Sequence, residues 1–520
     1  MGHRRQTTTW LTVIASAIVL YLAVTAGGSR RPAAFAINPR RVVVGLEGSP
    51  TTLDPRYTTD AYGARILPLL YDGLVAVDEH GAVVPNLAAG WENPGPRRYR
   101  FHLRPGVRFS DGRPCRAADV KATLDFLRQP ANGCPAQGRL QVISEITVVD
   151  PLTVDITLRR PFASFLYALT AYIVPAACCR PDAADPATIP GTGAFKLVRF
   201  HRGSEIVLER HPGYRGRPAR LERIVFKIIR DDTSRILALR KGAVDLVQNA
   251  IPAYALQFFA RDGRFRLLSR PGSGYKYLGY NLEDPLTGRL ALRRAISLAI
   301  DRQQIIRYTL HGRARPAAGL LPPEHWAANP RLPLPRHDPQ AAVRLLDEAG
   351  LRPGPDGVRC RLSFKTSTNQ ESYEIAQIIK AQLARVGIEL QIRRFEWGTF
   401  FADIKNGNFQ LYSLKWVGIE DPDIFYYLFH STSVPPRGAN RGRFRDPEVD
   451  RLLEQSRLTL NRERRRQLFC RLQEIIAARE VYTSLWFRDD TVVVKKGLLG
   501  FRICPGGAYT SLREARWDAT

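Results

Sequence analysis

Between Leu152 and Leu158 apolar and polar residues alternate without a break, the period of a strand with one buried face. Val42 to Val44, Glu205 to Glu209 and Ile224 to Ile229 read as further strands. Elsewhere the period changes to that of a helix. Asp338-Pro339 opens one as cap and first residue, Val343, Leu345, Leu346 and Ala349 supply an apolar stripe, and Gly350 stops it. Asp446-Pro447 repeats the device ahead of Val449, Leu452, Leu453 and Ser456. Asn461 then caps a helix that turns Leu468, Leu472, Ile475 and Ile476 inward. One composite unit stands out. Arg361 to Ser367 is a strand, and Ile375, Ile378, Ile379, Leu383 and Val386 line one face of a helix that Gly387 ends. Ile388 to Ile392 is a second strand. Such a crossover makes its two strands parallel. Strands and helices follow one another in mixed order, which predicts mixed α/β lobes and not a single barrel. Proline-rich Leu321 to Pro339 is expected to be a long surface connection.

Length adds a bound: 520 residues correspond to roughly two to four folding units. With 44% apolar and 24% charged residues, the chain is neither disordered nor fibrous. Trp10 to Ala26 carries no charge and follows Arg4 and Arg5, the layout of a secretory signal. It is slightly short of the ~20 residues of a spanning helix, yet a retained anchor also fits. Residues 1–36 are therefore set apart as signal peptide or N-terminal anchor, and the remainder is expected outside the cytoplasm. Seven cysteines could form disulfides there. Cys115 and Cys134 are near enough in sequence to close a short loop, and buried thiols explain the set equally well.

The formal charge is +28. The basic residues are interleaved with Asp and Glu along the chain, which describes a solvated basic surface and not a nucleic-acid arm. No paired-histidine zinc spacing, nucleophile elbow or phosphate loop is present, so neither an enzyme nor a cofactor is expected. Glu420, Asp421 and Asp423 form an acidic cluster, and carboxylates this close in sequence are more often caps or ion-pair partners than a glycosidase pair.

Several short segments occur in a specific order. They are Pro50-Thr-Thr-Leu-Asp-Pro55 with Thr59-Asp60, Leu70-Tyr-Asp-Gly-Leu74, and Val84-Pro-Asn-Leu-Ala88 with Trp91. Then come Tyr99 to Phe109 with Asp111-Gly112, Ala118-Asp-Val120, Gly191 to Phe195, Tyr280-Asn281, Arg294 to Asp301 and Gly438 to Arg441. In this order they resemble the family 5 extracytoplasmic solute-binding proteins of ABC importers, over nearly everything after the leader. The resemblance implies a type II periplasmic-binding-protein-like clamshell of two large mixed α/β lobes plus an inserted smaller lobe. By that analogy lobe I is 40–85 with 190–278 and 485–520, the inserted lobe is 86–189, and lobe II is 279–484. The chain would cross between the large lobes near Ser273 to Asn281 and near Val481 to Trp486.

The resemblance further implies a short peptide or related solute as ligand, a membrane permease as partner, and a monomer without metal or cofactor. The ligand-binding residues carried over are Thr59, Asp60 and Ala61 of a first-lobe loop, Lys365 as a carboxylate-binding cation, and Trp397 and Trp416 as pocket walls. Peptide binders carry an aspartate three residues after the tryptophan. Here that position is Ile419, so Glu420, with Asp421 beside it, is the candidate carboxylate for a ligand amine. A membrane-anchored sensor on the same fold and a receptor for a nickel chelate are the alternatives.

Overall fold

The computed structural model describes residues 38–78, 81–180 and 189–518, and the charge-free stretch Trp10 to Ala26 lies outside them. Among the described residues no helix is long and apolar enough to cross a membrane. Residues 39–520 make one compact unit.

An 11-stranded mixed sheet runs through that unit. Its order is Ile388–Phe395, Cys360–Ser367, Leu411–Trp416, Phe265–Tyr280, Tyr482–Lys495, Leu246–Gln248, Arg41–Leu46, Arg223–Ile228, Glu205–Arg210, Phe195–His201. The short strand Ala314–Pro316 also pairs with Tyr482–Lys495. Two strands in the middle are unusually long and antiparallel to each other. Phe265 to Arg270 pair with Lys495 to Asp490, the register breaks between Arg270 and Gly274, and pairing resumes from Gly274 opposite Arg488. Before the break the neighbouring strand is Leu246–Gln248, and after it the neighbour is Leu411–Trp416. The chain therefore passes between two halves of the sheet on one pair of strands. At the break, a Cβ on Gly272 would lie 2.1 Å from the Arg488 carbonyl oxygen, so the backbones touch where only glycine fits.

Each half has its own core. The first gathers Val42, Val44, Leu46, Ile206, Ile224, Phe226 and Leu246, and the end of the chain completes it with Phe501, Tyr509, Leu512 and Trp517. Trp517 Nε1 donates to the Arg41 carbonyl at 2.7 Å. The second half has two cores, one on each face of its sheet. Tyr275, Tyr277, Tyr412 and Phe429 lie on one face, and Leu278, Leu362, Ile379 and Leu390 on the other. A separate four-stranded antiparallel sheet, ordered Ala88–Gly95, Arg98–Leu103, Thr153–Leu158, Ile143–Asp150, packs on helix Ala117–Arg128 over a fourth core.

The capping residues act as their spacing predicts. Asp338 accepts from Ala341 N, Asp446 from Glu448 N and Val449 N, and Asn461 from Arg464 N. The crossover is present, with Cys360–Ser367 parallel to Ile388–Phe395 and helix Gln370–Ala384 between them. Ile375, Ile379 and Leu383 on that helix are buried, each worth about 1.5–3 kcal/mol of transfer free energy. The connection after Leu321 runs on the surface only in its second half, where Leu334, Arg336 and His337 are exposed. Leu321 and Ala327 are buried, Trp326 packs edge-on against Phe469, and the Asn329 amide bonds Cys470 O and Glu474. A bulky aromatic and an amide that finds one backbone and one side-chain partner override local composition in the first half.

Arg302 is a buried cation in the second half. Its guanidinium donates to Ser484 O at 2.7 Å, Ser297 O at 2.9 Å, Ile300 O at 3.1 Å and Ser297 Oγ at 3.0 Å. All seven cysteines are free thiols.

Candidate functional site

The register break opens onto a cleft between the two halves of the sheet. Along Phe265–Tyr280, Tyr275 and Tyr277 turn into the core with Tyr412, so Lys276 between them turns to the opposite face. Lys276 pairs in register with Lys415 of the neighbouring strand. Two ammonium groups are thereby direct cross-strand neighbours, an arrangement that costs stability when nothing answers it. Neither makes a hydrogen bond or ion pair among the described residues. Arg488 and Glu371, which lie within electrostatic reach of both lysines, pair with each other instead.

The opposing wall comes from the first half. Arg65, on helix Ala61–Ile66, is buried and lies 3.6 Å from Glu47 Oε1 through Nη1. Its Nε and Nη1 have no hydrogen-bond acceptor, and Glu47 Oε2 and Gln248 Oε1 are buried without a donor. Gln248 Nε2 donates to Gly507 O at 2.6 Å. Gly507 is in the left-handed region (φ +76°), and a Cβ there would press on Arg65 Nε at 3.2 Å. Asp490, at the register break, accepts from Asn249 Nδ2 at 2.9 Å.

Burial, with Lys415 adding to it, pushes the Lys276 ammonium down to about 8. Burial lowers Lys415 as well, with Arg65 and Arg488 contributing from either side. Lys415 is exposed to solvent all the same, and Lys276 is half-buried. The sign for stability follows from a folded value below the unfolded 10.5. At pH 7 charged Lys276 opposes folding. From about 8 upward the folded chain releases a proton that the unfolded chain keeps, so this opposition fades by about 10.5. Lys276→Met is therefore expected to raise the urea midpoint at pH 7 and to lose that advantage by pH 10. An equal difference at both pH values would refute the assignment.

On the opposite face of the same strand, toward the Tyr275 and Tyr412 core, lies an aromatic group. Trp416 ends its strand, and the Arg441 guanidinium sits 4.8 Å from its ring and 5.2 Å from that of Phe401. The Trp416 Nε1 is buried with no acceptor. Trp397 begins helix Trp397–Asn406, is 55% exposed and stacks on Phe401 at 5.6 Å. The two tryptophans are thus linked through Phe401 and the Arg441 guanidinium that lies over both Phe401 and Trp416. Lys365 Nζ bonds Asp403 Oδ2 at 2.6 Å over the Phe395 ring, so its charge is already answered within the protein.

Thr59 is exposed at the mouth of the helix that carries Arg65, and Ala61 is that helix's first residue. Asp60 is its cap. One oxygen accepts from Tyr62 N and Gly63 N and the other from Thr51 N and Oγ1, which leaves it no strong capacity for a ligand. Glu420 is different. Its carboxylate has no hydrogen-bond or ion-pair partner among the described residues, and Arg139 and Tyr172 lie within electrostatic reach. Burial raises its pKa and Asp421 adds to this, against Arg139. Asp421 accepts from Asp423 N at 3.1 Å and stands 3.5 Å from Arg465. Arg465 also reaches Ser164, and Arg457 holds Asp423 by two bonds of 2.7 and 2.8 Å while its carbonyl accepts from Ala163 N. Asp421 thus belongs to a bridge between the Phe162–Phe165 segment and the two helices after Asp446. Among the described residues no cluster of His, Cys, Asp and Glu could hold a metal.

Arg65, Lys276, Lys415 and Arg488 do not stand out in the sequence reading. The available signal was a lysine between two buried tyrosines, and a second lysine directly before Trp416.

Two sheet halves joined by one pair of strands, with unanswered charged and aromatic groups on facing walls, define a solute-binding clamshell. The profile of the bacterial extracellular solute-binding proteins, family 5 Middle, matches residues 82–435. The dipeptide-binding protein of Escherichia coli (strain K12) is 28% identical over 509 residues, covering 92% of this chain and 94% of that protein. The glutathione-binding protein GsiB of Salmonella typhimurium is 28% identical over 493 residues, covering 92% and 95%. The crystal structure of NikZ from Campylobacter jejuni in complex with Ni(L-His) superposes with a TM-score of 0.84 at 23% identity, covering 92% of this chain and all of that one. The chain belongs to the family 5 extracellular solute-binding proteins of ABC importers, and its fold is the type II periplasmic-binding-protein clamshell, two large mixed α/β lobes with a smaller inserted one.

Proposed function

We propose that the protein captures short peptides in this cleft outside the cytoplasm and delivers them to a membrane permease, without catalysis. The observation that carries the peptide reading is a pair of opposite charges without partners among the described residues, the Glu420 carboxylate and the Lys415 ammonium, on the chain either side of Trp416. These are opposite charges for the two ends of a zwitterion. Peptide-named relatives matching over 92% of the chain support it. In this reading the lobes divide as 40–85 with 190–278 and 485–520, 86–189, and 279–484. They close about the two long strands. The leader, 1–36, serves for export or anchoring, and the receptor works as a monomer. A ligand ammonium beside Glu420 would draw its carboxyl back to the charged form.

Titration calorimetry with Ala-Ala-Ala and N-acetyl-Ala-Ala-Ala tests it. The wild-type protein is expected to bind the free-amine peptide at least about tenfold more tightly, a charge-assisted contact of about 1.4 kcal/mol or more. Glu420→Ala should bind the two alike. Equal wild-type affinities would remove the amine-binding role of Glu420.

A further inference from the structure

We propose that the ligand is acidic: a short peptide bearing, besides its terminal carboxylate, a carboxylate side chain that sits against Lys276, Lys415 and Arg65. The inference rests on the peptide reading above and names the substrate class of the same cleft.

The charges around the floor do not balance. Arg65, Arg270, Lys276, Lys415 and Arg488 meet there, and the carboxylates that face them are Glu47, Glu371 and Asp490. Glu47 is beside Arg65, Glu371 is held by Arg488, and Asp490 is bonded to Asn249 with Arg270 nearby. Two positive charges remain, and they are the two lysines in cross-strand register. Asp489, on the other side of its strand, is answered by Arg313 and Arg315 and does not enter this balance.

Two facing ammonium groups cost the sheet stability. An isoleucine or threonine at either place would satisfy the strand and remove the repulsion. The wall opposite adds a second, independent observation. Arg65 is buried, yet two of its nitrogens lack an acceptor, and a buried donor without a partner costs about 1–3 kcal/mol. Ammonium groups from one half and a guanidinium from the other lie within electrostatic reach across this floor. Closing the clamshell on a carboxylate would supply the missing acceptors and relieve the repulsion together. Two unanswered charges call for two anionic groups, one more than the terminal carboxylate of a neutral peptide provides.

The full-length protein would be titrated with Ala-Ala-Ala, Ala-Glu-Ala and Ala-Lys-Ala, and with glutarate as a dianion that is not a peptide. Ala-Glu-Ala is expected to bind at least tenfold more tightly than Ala-Ala-Ala, and Ala-Lys-Ala more weakly than either. In the Lys276→Met/Lys415→Met variant the preference for Ala-Glu-Ala should disappear while affinity for Ala-Ala-Ala falls less. Lys415→Arg should retain the preference. The double variant removes a repulsion and is expected to melt no lower than the wild type, which separates lost recognition from lost fold. Equal binding of all three peptides would overturn the acidic-ligand inference and leave the peptide reading standing. Tight binding of glutarate with none of the peptides bound would overturn the peptide reading and keep the anionic site. Binding of neither glutarate nor Ala-Glu-Ala, or an acidic preference that survives in the double variant, would overturn the inference.

Discussion

Gly272→Ala is expected to destabilise the protein by about 3 kcal/mol and to weaken peptide binding about tenfold or more. The added Cβ would lie 2.1 Å from Arg488 O and 3.1 Å from Asp490 N. Both are backbone atoms, so no side-chain rotation relieves the clash, and the two long strands must separate. They would separate where the register already breaks, between Arg270 and Gly274, which is also where the sheet passes from one half to the other. Arg488 is pulled away from Glu371 by the same displacement, and the two walls lose their spacing. Gly274→Ala is the control, because its Cβ meets only side chains at ordinary contact distance, Lys415 at 3.6 Å and Val417 at 4.0 Å. That change should stay within about 1 kcal/mol. Urea unfolding and calorimetry on the two variants decide the matter. A Gly272→Ala protein with wild-type stability and affinity would show that the contact at this crossing is not tight.

Arg302→Met is expected to cost about 3–5 kcal/mol, the larger stability effect of the two. The side chain is 3% exposed and satisfies the carbonyls of Ser297, Ile300 and Ser484 at once. Methionine fills the volume but offers no donor, so three acceptors are stranded in the core. The loss also takes a positive charge from the neighbourhood of Glu480, whose carboxyl is already raised by burial and held down partly by Arg302. Arg302→Lys should recover only part of the loss, since an ammonium cannot reproduce the fork of a guanidinium. A drop below about 1 kcal/mol in urea unfolding would mean that water takes over these acceptors.

Much of the architecture is written in local pattern. Periodicity and capping residues act over three or four positions, so the helices begun by Asp338, Asp446 and Asn461 and the parallel crossover at 360–395 could be read directly. What escaped depends on distant partners. In helix Arg462–Ala478 the apolar spacing indicates Leu472 and Ile475, but Arg465 is buried too, a place a charge can take only because Ser456 O, Ser164 and Asp421 meet it there. The site divides in the same way. Trp416 and Glu420 follow from the resemblance, and Glu420 has no hydrogen-bond or ion-pair partner among the described residues. Lys276 and Lys415 are 139 positions apart and become neighbours only through strand register. Arg65 looks like an ordinary cation in the last turn of a short helix until the Gly507 turn packs against it.

The closing segment of the chain has a consequence for biogenesis. Phe501, Tyr509, Leu512 and Trp517 complete the core begun by Val42 and Val44, and Trp517 is bonded to Arg41. The first half therefore cannot finish its core while the last twenty or so residues are still being made, however early its first strands emerge. Sequence separation of this kind slows folding. For a chain that threads through a secretion channel before it folds, that delay is an advantage. Under the export proposed above, the first half would close its core only after residues 501–517 are in place.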